Sequence, residues 1–300
     1  MDQRTRIRAA INRLPADQIP CAELVITDEI IRALCGQPVI EFDHRLEFVQ
    51  TMGLDAICLH PCAPLSPQES LVQGELVFND LPGWIESDLF TFAVLDGPVG
   101  WSGKLLSFED MMRNLVRGNS EMAAIVAAVE KLNLAAMERL AGGGVNGILL
   151  ADDIAFNQGV IARPALLRSL LFPSYARQVE YAKKLGLPIF FHSDGNLTAV
   201  LDDIVAAGFD GLQCIEKLAG MDIGDIKSRY GHKLCLWGNL DPAELLSTRS
   251  SAELASHVEQ IIRDGGSGGG LIFGTSSGLF DRMNLDSIRT VYKVAKSTVI

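Results

Sequence analysis

The sequence predicts an α/β fold of the (β/α)8 barrel type with an N-terminal helical extension. Three observations predict it. Short β-rich apolar runs alternate with helical patterns nearly to the end of the 300 residues. Most of these runs are continuously apolar rather than alternating, as expected of parallel strands covered on both faces. Ionisable groups stand at the ends of the runs, where a barrel gathers its functional face.

Taken in order, residues 1–50 read as the extension, with helical segments around 4–13 and 27–36, and residues 51–300 as the barrel of a single domain. The strands are "LDAICLHP" (54–61), "LVQGELVF" (71–78, the weakest), "LFTFAVLDG" (89–97), "VNGILLADD" (145–153), "LPIFFHSDG" (187–195), "FDGLQCIE" (209–216), "HKLCLWGNLD" (232–241) and "GLIFGTSSG" (270–278). Between them, Pro164 to Leu185 places Leu166, Leu167, Leu170, Val179 and Ala182 on one helical face, and 252–262 and 285–295 read similarly. Asn196 is available to cap the helix that Gly208 ends. An open doubly wound sheet is the competing plan, but no glycine fingerprint follows the first strand. The run "GGSGGG" (265–270) precedes a strand instead of opening a helix, so it reads as a connection and not a phosphate loop.

A hydrophobic content of 48% is ample for a core, and a net charge of −11 without a basic stripe argues against nucleic acid. No apolar run of about 18 residues appears, so no membrane span is expected. The N-terminus has charged residues throughout and does not resemble a signal peptide, so the chain is expected to be cytoplasmic. The six cysteines form no CxxC pair, and a disulfide framework is not expected.

The strand ends carry His60, Asp96, Asp152 with Asp153, His192 with Asp194, Glu216, Asn239 with Asp241, and Ser276 with Ser277. His192 and Asp194 lie two apart on an extended segment and can point the same way. They read as a proton-handling pair or as ligands for a divalent cation, against the plainer account of a turn carboxylate and a core histidine. Only one of Asp152 and Asp153 can face the barrel axis, because neighbours on a strand point to opposite sides. Asp152 is taken as a catalytic candidate. Asp96, Asp153, Glu216, Asn239, Ser276 and Ser277 are taken as substrate contacts. Asp96 could equally serve a Gly-Pro turn, and Asp241 is accounted for as the cap of a helix starting at Pro242. His60, in "HPC", joins His192 and Asp194 as a candidate metal ligand. No second cluster at zinc-finger spacing accompanies it.

With these residues assembled, the chain resembles the uroporphyrinogen decarboxylase superfamily, which includes the cobamide-dependent methyltransferases. The resemblance runs from "RTRIRAAINRLPADQIP" through "HSDGN", "GMDI" and "WGNLD" to "NLDSIRTVYKVAK". It implies a barrel with its site at the C-terminal mouth. Two departures bear on the reaction. The decarboxylases carry an arginine-rich segment near the N-terminus that holds the substrate's carboxylates. Here that region reads "IPCAELVITDEIIRALCG", with Arg32 its only arginine. The thiol methyltransferases bind zinc through His-x-Cys and a later cysteine, and the matching positions here are His192, Asp194 and Ser277. The resemblance therefore implies a substrate-side methyltransferase. It would move a methyl group between a small methylated compound and a corrinoid on a partner protein, with His192 and Asp194 either supplying a proton or holding a metal such as zinc. A decarboxylase-like lyase and a non-catalytic corrinoid-system binding protein are the alternatives. An exposed barrel flank would permit a homodimer.

Overall fold

The computed structural model describes residues 1–62, 65–246 and 250–298. Eight parallel strands alternate with helices along the chain, the plan of an α/β (β/α)8 barrel with a helix at its N-terminus. They are β1 (Ala22–Glu23), β2 (Ala56–Leu59), β3 (Phe90–Asp96), β4 (Gly147–Ala151), β5 (Ile189–His192), β6 (Gly211–Gln213), β7 (Cys235–Leu240) and β8 (Leu271–Thr275). The helices used below are α1 (Gln3–Ile11), α2 (Pro98–Leu105), α3 (Phe108–Arg117), α4 (Ser120–Gly142), α5 (Phe172–Lys184) and α6 (Leu285–Ser297). No helix among the described residues is long and apolar enough to cross a membrane.

The chain divides into two compact units. The first comprises Met1–Cys58, Pro82–Thr91 and Gly211–Ile300, and the second Leu59–Leu81 and Phe92–Asp210. In the first unit β6, β7 and β8 pair in parallel, β1 pairs with β2, and a parallel bridge from Cys21 to Phe273 joins the two sets. In the second unit β3, β4 and β5 pair in parallel, with Asp96 opposite Ala151 and Ala151 opposite His192. This register brings three strand ends level.

Three elements differ from the sequence reading. Residues 71–78 are not a barrel strand. Ser66 and Glu69 form a reciprocal capping box around Pro67, a strong helix start, and the helix Pro67–Gln73 ends at left-handed Gly74. Val77–Phe78 then pairs antiparallel with Pro61–Cys62. The eighth parallel strand is instead β1, within the N-terminal extension and between its two expected helical segments. At two residues it is too short to show a period. The segment 164–185 is two helices, Pro164–Leu170 and α5, with Pro173 in the first turn of α5.

The strands of the second unit are buried almost without interruption, from Phe90 through Leu95 and from Gly147 through Leu150. Phe92 and Phe190 meet edge-to-face at 5.2 Å, and Phe191 packs on Phe209 at the same distance. Helix α4 packs on α2 and α5. A buried amide chain runs through that layer: Asn133 donates to the Asp96 carbonyl at 3.0 Å and to Gln178 Oε1 at 2.9 Å.

In the first unit a buried carboxylate ties the termini together. Asp55, just before β2, is fully buried and pairs with Arg6 of α1. Lys296 of α6 lies 3.2 Å from its second oxygen, which also accepts the Cys21 amide at 2.9 Å. Without Asp55, Arg6 would keep Asp17, but Arg6 and Lys296 would each lose a partner in a poorly solvated site. Asp55→Ala is therefore expected to lower stability by about 3–5 kcal/mol in urea unfolding, with Asp55→Asn costing less because it keeps an acceptor for Cys21.

Candidate active site

The second unit brings Asp153, His192 and Asp194 together. His192 ends β5 and is 7% exposed. Its Nε2 stands 3.7 Å from Asp153 Oδ1. Asp153 follows β4, and the same oxygen accepts the Asp194 backbone N–H at 3.0 Å. Asp153, His192 and Asp194 each present a ligand atom within 4.8 Å of the other two, a spacing that a divalent cation could bridge. Asp153 and Asp194 are exposed while His192 is buried, so the imidazole is held by packing and the carboxylates face the solvent side.

The loop after β5 is fixed by close approach. Gly195 has φ +88°, and a Cβ there would come within 2.5 Å of the Phe156 nitrogen. The Asn196 amide donates to the Phe156 carbonyl at 3.0 Å. Ser193 Oγ accepts the Ile154 amide at 3.1 Å. The short hairpin formed by Ala155–Phe156 and Gly159–Val160 is thus bound to the segment that carries Asp194.

The two aspartates that follow β4 diverge, Asp152 into the protein and Asp153 towards solvent. Asp152 is 1% exposed. Its oxygens accept the Tyr175 hydroxyl at 2.5 Å and the Gly100 amide at 2.9 Å, which ties β4 to α5 and to the first turn of α2. A Cβ at Gly97 would come within 2.3 Å of its carboxylate. Burial pushes the Asp152 carboxyl up to about 7, against the lowering effect of Tyr175 and Gly100. Asp153, expected as a substrate contact, is the carboxylate that accompanies His192.

The remaining candidates are distributed as follows. Asp96, at the end of β3, pairs with Lys104 of α2, so a basic partner already occupies it. His60, exposed after β2, belongs to no metal-capable group among the described residues, and Asp153 takes the place expected for it. In the first unit, Glu216, Asp241, Ser276 and Ser277 line a small cavity of about 120 Å³. Asn239 is 3% exposed and donates to the Ile215 carbonyl at 2.5 Å, which supports the left-handed pair Cys214 and Ile215. Its amide serves the backbone. Asp241 accepts the Ala243 amide at 2.9 Å, as a helix cap does.

Sequence reasoning missed a cavity of about 570 Å³ beside Asp153, walled by Phe108, Met111, Met112, Phe156 and Ile161. Its one sequence signal was apolar residues at the start of α3, where a solvent-facing helix should be polar.

A family model described as uroporphyrinogen decarboxylase (URO-D) matches residues 85–298. The uroporphyrinogen decarboxylase of Bacillus cereus is 25% identical over 303 residues, covering 94% of this chain and 80% of that protein. The one from Nitrosospira multiformis is 38% identical over 95 residues, 30% of this chain and 23% of that protein. A methyltransferase from Methanosarcina mazei has the same fold, with a TM-score of 0.75 over 98% of both chains at 17% identity.

Asp152 has a measurable consequence. Its folded carboxyl keeps a proton to about pH 7, whereas an exposed one releases it near 3.8. The unfolded state therefore binds fewer protons between these values, and stability falls as pH rises through that window. Asp152→Asn mimics the neutral form. In thermal melts it should match the wild type near pH 4 and exceed it above pH 7.

Proposed function

The chain belongs to the uroporphyrinogen decarboxylase (URO-D) family, and on that premise we propose that it is a methyltransferase of the family. It would move a methyl group between a small methylated compound and a corrinoid carried by a separate protein. The grouping of Asp153, His192 and Asp194 at neighbouring strand ends carries this reading.

The choice against a porphyrinogen substrate rests on charge. Asp153 and Asp194 stand exposed beyond the ends of β4 and β5, and Lys104 nearby is already paired with Asp96. A substrate bearing several carboxylates would enter a field of like sign without guanidiniums to receive it. The names of the curated relatives therefore carry over to the family but not to the substrate. The methyltransferase from Methanosarcina mazei shares the fold, which accommodates the proposed reaction.

Methyl transfer to a nucleophile leaves the bonding electron pair on the atom that loses the methyl group, and where the donor is uncharged that atom must take up a proton or a cation. Two routes suit these residues. His192 can hold a proton at Nε2, beside Asp153 Oδ1, and deliver it to the leaving atom. Alternatively, the one nitrogen and two carboxylates fit a divalent cation such as zinc, though without the soft sulfur ligands that favour zinc most. When bound, the cation would act as a Lewis acid on the leaving atom. The corrinoid would supply the nucleophilic metal that accepts the methyl group, and no residue of this chain is assigned to hold it. Asp194 orients the group through its backbone contact with Asp153.

His192→Ala and Asp153→Ala are expected to reduce methyl transfer to cob(I)alamin by about 100-fold or more while leaving the melting temperature within a few degrees. Elemental analysis of the untagged protein, alongside, distinguishes the routes. Near-stoichiometric zinc lost in His192→Ala selects the Lewis acid, and metal-free active protein selects the proton. Full turnover in both variants would sink the assignment.

A further inference from the structure

On the methyl-transfer reading above, the rate depends on the spacing within Asp153, His192 and Asp194, because a misplacement of about 1 Å can cost about 100-fold. Ser193 lies between two of these residues in the chain. At 1% exposure it is too deep to meet a substrate itself. What its hydroxyl touches gives it another part in the site.

The ladder between β4 and β5 ends where the Asp152 N–H donates to the His192 carbonyl at 2.9 Å. One further step of a parallel ladder would pair the Asp194 N–H with the Asp152 carbonyl and the Ile154 N–H with the Asp194 carbonyl. Both bonds are rerouted through side chains. The Asp194 N–H donates to Asp153 Oδ1 at 3.0 Å, and the Ile154 N–H donates to Ser193 Oγ at 3.1 Å. The Ser193 hydroxyl in turn donates to the Asp194 carbonyl at 2.9 Å. One hydroxyl therefore spans the two strand exits, with the residue after Asp153 on one side and Asp194 on the other. Had the backbone closed this step, the Asp194 N–H would be spent on it. The Asp153 carboxylate, 3.7 Å from His192 Nε2, would then lose the donor that holds it.

We propose that Ser193 is a positioning residue for the reactive group: its hydroxyl replaces the missing backbone bond and releases the Asp194 N–H to hold the Asp153 carboxylate beside His192. The residue type matters because the position needs an acceptor and a donor on one short side chain. Alanine offers neither and leaves the buried Ile154 N–H without its acceptor.

Amide hydrogen exchange, followed by NMR on the full chain, tests this without a ligand. In Ser193→Ala the Ile154 and Asp194 amides are expected to exchange about tenfold faster or more, beyond any change at the amides of β3. Asp153→Ala should free the Asp194 amide alone, and Ser193→Thr, which keeps the hydroxyl, should leave both protected. An Asp194 amide indifferent to Ser193→Ala, or a rise shared equally by β3, would overturn the assignment. Methyl transfer to cob(I)alamin is measured separately, with methanol, tetramethylammonium and methoxybenzene each offered as donor. Ser193→Ala is expected to lower kcat about tenfold and to leave KM unchanged, because the side chain touches no substrate. A raised KM with kcat intact, or freed amides with both constants intact, would also overturn it. No turnover of any donor by the wild type would count against the methyl-transfer reading and leave the exchange result to decide the part of Ser193.

Discussion

A strand covered on both faces has no place for a charge until it ends. That constraint governs the whole second unit. From Phe90 to Leu95, from Gly147 to Leu150 and from Ile189 to Phe191, every side chain is buried. Ionisable groups are thereby driven to the last residue of each strand or to the first two beyond it. Because Asp96, Ala151 and His192 lie in register, the displaced groups arrive at one level. The candidate site follows from where charge is permitted as much as from where it is needed.

The exceptions show what burial of a carboxylate requires. Glu23 sits inside β1 at 1% exposure and is held by the Thr275 amide and hydroxyl and by the Tyr292 hydroxyl. Burial nonetheless pushes its carboxyl up to about 7. Asp152 has two donors and the same elevated value. Asp55 instead has two cationic side chains beside it, and it joins the first helix, the second strand and the last helix. Neutral donors keep a buried carboxylate tolerable, whereas cations let it organise the chain around itself.

Much of this was legible in the sequence, for a physical reason. Seven strands were visible because continuous apolar runs of this kind have few other uses. The helices Leu285–Ser297 and Ser251–Gly266 declared themselves by their spacing. Strand β1 was not legible: two residues have no period, and Glu23 in a strand interior reads as polar. The segment 71–78 misled because its β-branched residues outweighed the capping box at Ser66, although Ser-Pro-x-Glu was in plain view. At the site, His192 and Asp194 could be placed by strand-end logic. The choice between Asp152 and Asp153 could not, because alternation says that the two diverge without saying which way. Tyr175, 23 residues on, settles it by claiming Asp152. The cavity wall was beyond reach because Phe108 and Phe156 belong to separate connections that only the folded chain brings together.

The hairpin beside Gly195 has a bearing on how such a protein could change. Phe156 meets the Asp194 loop through its nitrogen and carbonyl, not its ring. The ring is free to be exchanged for another side chain while the backbone seam stays closed. One short ribbon thus separates two kinds of inheritance. Its main chain preserves the reactive group, and its side chains can drift with whatever compound is on offer. A lineage built this way could adopt new substrates by small steps, without first losing the chemistry that makes a substrate worth holding.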